Sequence, residues 1–220
     1  MAQTLTLSRE VAISAIREAF RDFDCQRSPE TNWWILDRRI AGDATERLSV
    51  SVGAAGDALR YVPTIGLRFD AVAKLNALVW DDANLSAWYM PAGIARRLSE
   101  FAKHNGSRWN VTDGKKLNDA VFDVRDVYFS KARPYFNART SIESICDWFD
   151  QNANEALKSA SEIDFAVFNL VADRPRRAAE LAAQCRDKNA GLPPVENAMT
   201  TNARRMYVAA CERLVRLADA

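Results

Sequence analysis

Few side chains in this sequence can do acid–base or metal chemistry, and their spacing does not bring them together. Three pairs of aspartates are the raw material for catalysis: Asp22 with Asp24, Asp81 with Asp82, and Asp123 with Asp126. A magnesium site needs carboxylates that converge from different elements, and nothing in these spacings predicts convergence. The last pair lies three residues apart on one helix face, which favours a solvated surface over a catalytic site.

Histidine and cysteine chemistry is equally limited. His104 is the one histidine, so a multi-histidine metal site cannot form within one chain. It follows a helix, and we interpret it as a surface or C-cap residue, with a catalytic role as the alternative. The four cysteines, Cys25, Cys146, Cys185 and Cys211, form no C-x-x-C pair. They are predicted to be free thiols in a reducing compartment.

Phosphate-binding and hydrolase motifs are missing from the sequence. It contains no G-x-x-x-x-G-K-[ST], no G-x-G-x-x-G, no H-E-x-x-H and no G-x-S-x-G. We therefore predict no catalytic residue, no metal and no cofactor. An enzyme remains the less favoured alternative, as a hydrolase or metal-dependent nuclease using carboxylates such as Asp81 or Asp123.

The residues that suggest binding are tryptophans and arginines. Trp33 and Trp34 are adjacent on a predicted strand, so their side chains point to opposite faces. An aromatic residue on an uncovered face commonly marks a contact patch, whereas burial of both faces would remove that patch. Arg38 and Arg39 on the same strand also point to opposite faces, so one of them needs solvent or an ion partner.

A second basic group stands at the start of a predicted helix. Arg174, Arg176 and Arg177 surround Pro175, where positive charge opposes the helix macrodipole. A bound anion or an acidic protein surface can compensate this charge, and a solvated turn is the simpler alternative. With Trp33, Trp34, Arg38 and Arg39, these three arginines are the predicted partner-binding residues.

Composition gives a class of protein and no activity. The chain has 220 residues, 48% hydrophobic and 27% charged, which is typical of a soluble globular protein. Its 30 basic and 29 acidic side chains give a net charge of +1, so no global field selects nucleic acid or a membrane. No secretory signal or membrane-spanning run is predicted, and we expect a cytoplasmic protein.

The first part of the chain alternates between helix and strand patterns. Ser8 is a natural N-cap for a helix through Phe23, and residues 24–32 are expected to end this helix. Three strands of an antiparallel meander come next, over residues 33–40, 45–52 and 60–69. In the second of these, Leu48, Val50 and Val52 are expected to face inward, and Arg47, Ser49 and Ser51 outward. All six tryptophans lie in this part.

Helices are predicted for most of the chain after residue 70. Asp70 can cap a helix over 71–79, residues 85–90 suggest a fourth strand, and Pro91 can open a helix through Phe101. A further helix over 117–128 is predicted to end at Pro134, and the segment from Thr140 to Glu143 fits a capping box. From about residue 152 the patterns are helical, with a linker at 189–194 and a last helix over 201–217.

The fold class is therefore predicted to be α+β: an N-terminal helix, an antiparallel meander of three to four strands, helices packed on it and an all-α C-terminal part. We divide the chain into an α+β domain over residues 1–151 and a helical extension over 152–220.

The pattern around Asn32-Trp33-Trp34-Ile35, Leu48–Val52 and Ile65–Phe69, together with Trp109-Asn110-Val111, resembles a group of small uncharacterised bacterial α+β proteins. That group carries a domain of unknown function, and some of its members are suspected immunity proteins or accessory proteins of toxin systems. The resemblance covers residues 8–151 and implies a non-catalytic binding role, with a toxin as one candidate partner. No family site residue is carried over.

We therefore expect a bacterial, immunity- or antitoxin-like module that binds a protein partner. The alternatives are the carboxylate-dependent enzyme and a regulatory nucleic-acid binder using Arg174, Arg176 and Arg177. Nucleic acid is the less favoured partner, because such proteins usually carry excess basic charge or basic residues interleaved with aromatics on one face.

Overall fold

The computed structural model describes residues 8–27, 33–41, 43–55, 58–81, 93–104, 109–191 and 198–220. Its elements confirm the predicted α+β class, with an N-terminal helix, an antiparallel meander and a helical C-terminal part. The fourth strand predicted over 85–90 lies outside the described residues. Within them, no helix combines the length and the apolar character needed to cross a membrane.

The strands, numbered in chain order, are β1 Asp24–Arg27, β2 Trp33–Ala41, β3 Ala44–Ala55, β4 Ala58–Phe69, β5 Gly93–Arg97 and β6 Asn110–Val111. The first helices are α1 Arg9–Ala19, α2 Asp70–Trp80, α3 Gly114–Val127 and α4 Arg133–Asn137. A π-helical segment, Tyr128–Ala132, joins α3 to α4. The remaining helices are α5 Ile142–Gln151, α6 Ala153–Ala156, α7 Glu162–Val171, α8 Pro175–Ala190 and α9 Ala198–Ala218.

These elements form two compact units, each built from two stretches of chain. The first, called the sheet unit below, comprises Met1–Leu67 and Ala95–Ala138. The second, called the helical unit, comprises Arg68–Ile94 and Arg139–Ala220. The predicted boundary after residue 151 stays a prediction.

The sheet has the strand order β1-β2-β3-β4-β5, and β6 pairs with β4. The pairs β1–β2, β2–β3 and β4–β6 are antiparallel. For β1–β2 and β2–β3, the short connections between successive strands require this direction. Strand β1 was not predicted. Its segment was expected only to end the first helix, which in fact ends at Ala19, and its four residues contain no alternating apolar pattern.

The expected outward face of β3 is wrong. Arg47 and Ser49 are only 3% and 2% exposed, so β3 is buried on both faces over residues 44–50, while Ser51 is half-buried. Alternation correctly separates the two faces, since Leu48 and Val50 are buried opposite Leu36 and Trp34. It cannot tell a solvated polar face from a covered one. The buried guanidinium of Arg47 is compensated by two hydrogen bonds to Asp37, at 2.8 and 2.7 Å.

Helix α1 of the sheet unit begins as predicted, because the Ser8 side chain accepts a hydrogen bond from the Val11 amide. Its buried stripe, Ala12, Ile13 and Ile16, packs toward α3 and β3. The Tyr61 hydroxyl of β4 donates to the Ala12 carbonyl at 2.5 Å, which fixes α1 against the sheet.

Two further expectations about helices in this region are wrong. The segment after Pro91 forms strand β5 followed by a 3-10 turn over Leu98–Glu100, not a helix. Helical structure also continues past Pro134, because this proline lies in the first turn of α4. There its missing N–H is tolerated.

The helical unit contains α2 and α5–α9. The predicted helix over 71–79 is α2, but Phe69 holds the N-cap position, while Asp70 lies in the first turn and pairs with Arg68. The capping box at α5 uses Ser141 and Ser144, not Thr140 and Glu143.

Helix α7 is the central element of this unit and contacts α2, α5, α8 and α9. Seven of its ten residues are buried, including the polar Asp164 and Asn169. Helix α8 begins at Pro175 as predicted. It continues through Ala190, into the segment expected to be a linker.

Asp164 is a buried carboxyl at the start of α7. Its Oδ2 accepts hydrogen bonds from the Ser161 amide at 2.9 Å and the Ser161 hydroxyl at 2.6 Å, and the Asn76 side chain of α2 also bonds to it. Burial outweighs these bonds and raises the pKa of Asp164 to about 6, from an ordinary value of 3.8.

This pKa makes stability fall as the pH rises. Between pH 4 and 6 the folded chain binds more protons at Asp164 than the unfolded chain does, so this residue lowers the free energy of unfolding by about 2 kcal/mol across that window. We expect Asp164→Asn to remove this dependence, as measured by urea unfolding at pH 4 and pH 7. The exposed Asp126→Asn is the control, and equal pH dependence in wild type and Asp164→Asn would contradict the prediction.

Candidate partner-binding surface

The two tryptophans predicted to bind a partner are both half-buried. They point to opposite sides of β2, and in the ladder Trp34 pairs with Val50 and Trp33 with Ser51. Neither ring is among the largely exposed apolar side chains. Partial cover on both faces of the sheet therefore makes each tryptophan a weaker candidate contact than a ring on an uncovered face.

Arg38 and Arg39 have different surroundings. Arg38 is half-buried; its guanidinium lies 4.9 Å from the centre of the Phe23 ring and pairs with Asp22 at 3.1 Å and with Glu46. Arg39 is exposed. The sequence predicted that one of the two arginines needs solvent or an ion partner. For Arg38, the chain itself supplies that partner.

Glu46 is the centre of a charged cluster in the sheet unit. It is 2% exposed and pairs with Arg38 of β2, and its Oε1 lies 3.6 Å from Nε of Arg133 in α4. Tyr128 of the π-helical segment adjoins it; burial, and then the charge of Glu46, raises the pKa of this phenol. Strands β2 and β3 are thereby tied to the π-helical segment and α4 through one buried carboxylate.

The three arginines at the start of α8 have acidic partners within the helical unit. Arg174 pairs with Asp147 at 2.8 Å, and Arg177 pairs with Asp150 at 2.8 Å, both acids being on α5. Arg176 is 95% exposed and reaches Glu180 at 3.3 Å. The charge that opposes the macrodipole of α8 is thus balanced by the chain's own carboxylates.

The aspartates considered for catalysis are dispersed. Asp22 pairs with Arg38, and Asp81 is the left-handed C-cap of α2, 3.4 Å from Arg213. Asp24 lies on β1, Asp126 on α3, and Asp82 outside the described residues. Within the described parts of the chain, no three His, Cys, Asp or Glu side chains are placed to hold a metal ion.

Asp123 is more than part of a solvated helix face. Its Oδ2 lies 2.7 Å from Nε2 of His104 and accepts a hydrogen bond of 2.7 Å from Nε1 of Trp109, a ring that is 1% exposed. The histidine and indole rings meet edge to face at 5.5 Å. His104 therefore helps to hold Trp109 in place, instead of simply ending a helix at the surface.

A surface that the sequence did not single out combines an exposed aromatic ring with arginines. Phe122 is 71% exposed, the most exposed large hydrophobic residue in the described part of the chain. Arg125, Phe129 and Arg133 come after it at intervals of three to four residues, so the four share one helical face. The guanidinium groups of Arg125 and Arg133 lie 5.1 and 5.5 Å from the centre of the Phe129 ring. We call these four residues the arginine–aromatic face.

The core holds this face in position. The Phe129 ring stacks on Phe20 of α1 at 6.0 Å, with 10° between the planes, and meets Tyr128 edge to face at 4.8 Å. Arg133 is anchored by Glu46. The π-helical segment, a geometry frequent at functional sites, carries Phe129 itself.

Helical periodicity contained the signal for this face. The predicted stripe of the helix over 117–128 includes Leu117, Ala120 and Val124, and all three are buried. Phe122 falls outside that stripe, so a large apolar residue on the solvent side could be predicted. The stacking of Arg125 and Arg133 on one ring could not be predicted. It depends on the π-helical segment and on helical structure that continues past Pro134.

No family model, curated protein or solved structure matches this chain in comparisons with known proteins.

The Trp109–Asp123 hydrogen bond can be measured against a matched tryptophan. Trp109→Phe removes an indole donor from a carboxylate, whereas Nε1 of Trp80 is buried without a hydrogen-bond partner among the described residues. Both changes remove similar ring volume. We expect Trp109→Phe to lower the free energy of unfolding by about 1–3 kcal/mol more than Trp80→Phe, measured by urea denaturation. Equal losses would contradict a stabilising role for this bond.

The Glu46 cluster offers an internal control, since Glu46 and Asp22 bind the same arginine. Glu46→Ala leaves two guanidinium groups without their buried carboxylate and should cost about 3–5 kcal/mol in unfolding free energy. Asp22, with a side chain 52% exposed, should cost less than about 1 kcal/mol when changed to alanine. Chemical denaturation of the two variants tests this order, and a larger loss for Asp22→Ala would overturn it.

Proposed function

We propose that this chain is a non-catalytic binding module of the immunity or antitoxin kind, and that it holds a protein partner through the arginine–aromatic face. The observation that carries the proposal is the exposure of Phe122, 71%, on the same helical face as Arg125 and Arg133. Aromatic residues and arginine are enriched at the centres of protein interfaces. A bacterial toxin is the partner class that the sequence resemblance favours.

The chemistry of the face indicates what the partner must offer. Phe122 needs an apolar pocket, in which a fully buried ring contributes about 1.5–3 kcal/mol. Arg125 is exposed and has no ion-pair partner among the described residues, so an acidic side chain beside that pocket complements it. Arg133 and Phe129 are held by Glu46 and Phe20, so they lose little freedom on binding.

The same interleaving of basic and aromatic side chains suits nucleic acid, which makes a regulatory nucleic-acid binder the second candidate. Two facts favour protein. Asp119 and Asp126 on the same helix α3 reduce its positive charge, and the net charge of the chain is +1. For the carboxylate-dependent enzyme we find no supporting observation.

The proposal places the module in the cytoplasm. Its four cysteines are free thiols, three of them buried, and such thiols persist in a reducing compartment.

Affinity capture from the native host tests the proposal. Tagged wild-type chain is compared with Phe122→Ala and, as a matched control, with Leu78→Ala in the helical unit, where Leu78 is 66% exposed. We expect one protein, identified by mass spectrometry, to be recovered with wild type and Leu78→Ala and reduced at least tenfold with Phe122→Ala. The folding of each variant is checked by circular dichroism.

Nuclease treatment of the lysate separates the two candidates. Recovery that survives nuclease supports the protein partner, whereas loss of all captured material after nuclease favours nucleic acid. A partner captured equally by Phe122→Ala and wild type would overturn the assignment of the arginine–aromatic face.

A further inference from the structure

A separate cavity in the sheet unit is lined by two arginines. It has a volume of about 220 Å³ and lies between β4 and the chain from the end of β5 into the 3-10 turn. The residues that line it include two arginines, one hydroxyl and three apolar or aromatic walls: Arg60, Arg97, Ser99, Tyr61, Pro63 and Trp109. No carboxylate is among the described residues that line it.

The two arginines differ from those that the fold pairs with acids. Many arginines of the described residues, Arg38, Arg47 and Arg174 among them, form ion pairs with Asp or Glu. Within the described parts of the chain, neither the Arg60 nor the Arg97 guanidinium has an ion-pair partner. Two cations that share a concave site without an acid raise the local potential and attract anions.

The backbone and the walls around these arginines are fixed by other contacts. Arg60 pairs with Asn110 in the β4–β6 ladder. The Arg97 amide donates to Oε1 of Glu100 at 3.2 Å, which orders the 3-10 turn that carries Ser99. Tyr61 and Trp109 are 2% and 1% exposed and are held by Ala12 and Asp123. Such a site does not have to form when the ligand binds.

From this arrangement we propose that the Arg60–Arg97 cavity binds the phosphate group of a small phosphate monoester. Two guanidinium forks and one hydroxyl suit a dianion with three terminal oxygens, which can accept bidentate bonds from both arginines. A single carboxylate has only one charge and two oxygens, so it can satisfy fewer of these donors than a phosphate can. The volume is below the 300–1,000 Å³ of typical drug-sized pockets, so the organic part of the ligand is small. This inference is independent of the arginine–aromatic face.

Nuclear magnetic resonance on the full chain tests the site. The indole N–H signal of Trp109 is assigned from its loss in Trp109→Phe, and it is followed during titration with inorganic phosphate, methyl phosphate and acetate at constant ionic strength. We expect saturable shifts with both phosphates, tighter than with acetate by about tenfold, because a second charge-assisted contact is gained. A shift that is equal for acetate and phosphate, or that does not saturate, would overturn the proposal.

Variants show whether the two arginines carry the binding. Arg60→Ala and Arg97→Ala should each weaken phosphate binding at least tenfold, while Arg176→Ala, which removes a 95% exposed arginine of the helical unit, should leave it unchanged. Both cavity arginines are exposed, so these variants should fold. If the double variant Arg60→Ala/Arg97→Ala bound phosphate with the same affinity as wild type, the binding would belong to another surface and the proposed site would be refuted.

Discussion

The buried carboxylate of Glu46 is the interaction on which the sheet unit depends. A charge that is 2% exposed is tolerated only with cations and hydrogen bonds around it. Here the cations come from β2, through Arg38, and from α4, through Arg133. The same Arg133 covers the Phe129 ring at the surface. One buried charge therefore couples the strand register to the position of the surface on which the proposed function rests.

Glu46 also shows which part of the fold could be predicted from sequence. The period-2 pattern of β3 correctly placed Leu48 and Val50 together on one face. It also implied that the polar positions are solvated. Arg47 contradicts this, because its guanidinium is buried and is hydrogen-bonded to Asp37, its cross-strand neighbour. Pairing between strands is a long-range property. A local pattern therefore predicts which residues share a face and does not predict whether that face is covered.

The same reasoning separates the predictable from the unpredictable among the candidate site residues. Arg38, Arg174 and Arg177 were singled out as charges in need of partners, and partners do exist, within the chain. Those partners are 8, 16 and 27 residues away in sequence, so only the folded chain brings them together. Phe122 could be found by periodicity, as a large apolar residue outside the buried stripe. Arg60 and Arg97 could not, because residues 91–101 were predicted to be helical and the cavity requires them to be strand and 3-10 turn.

A net charge of +1 does not reveal that some arginines of this chain pair with its own acids and others do not. The arginines around Glu46 and at the start of α8 pair with acids of the same chain. These cations therefore stabilise the fold and add little to the electrostatic field outside it. Arg60, Arg97 and Arg125 lack such acids among the described residues, and each adjoins aromatic side chains: Tyr61 and Trp109 in the cavity, and Phe129 on α3's continuation. Arginine beside aromatic rings is suited to desolvated contacts with carboxylates and phosphates. Both proposed binding surfaces therefore contain arginines that no acid of the described residues pairs with, and the balance of total charge gives no indication of them.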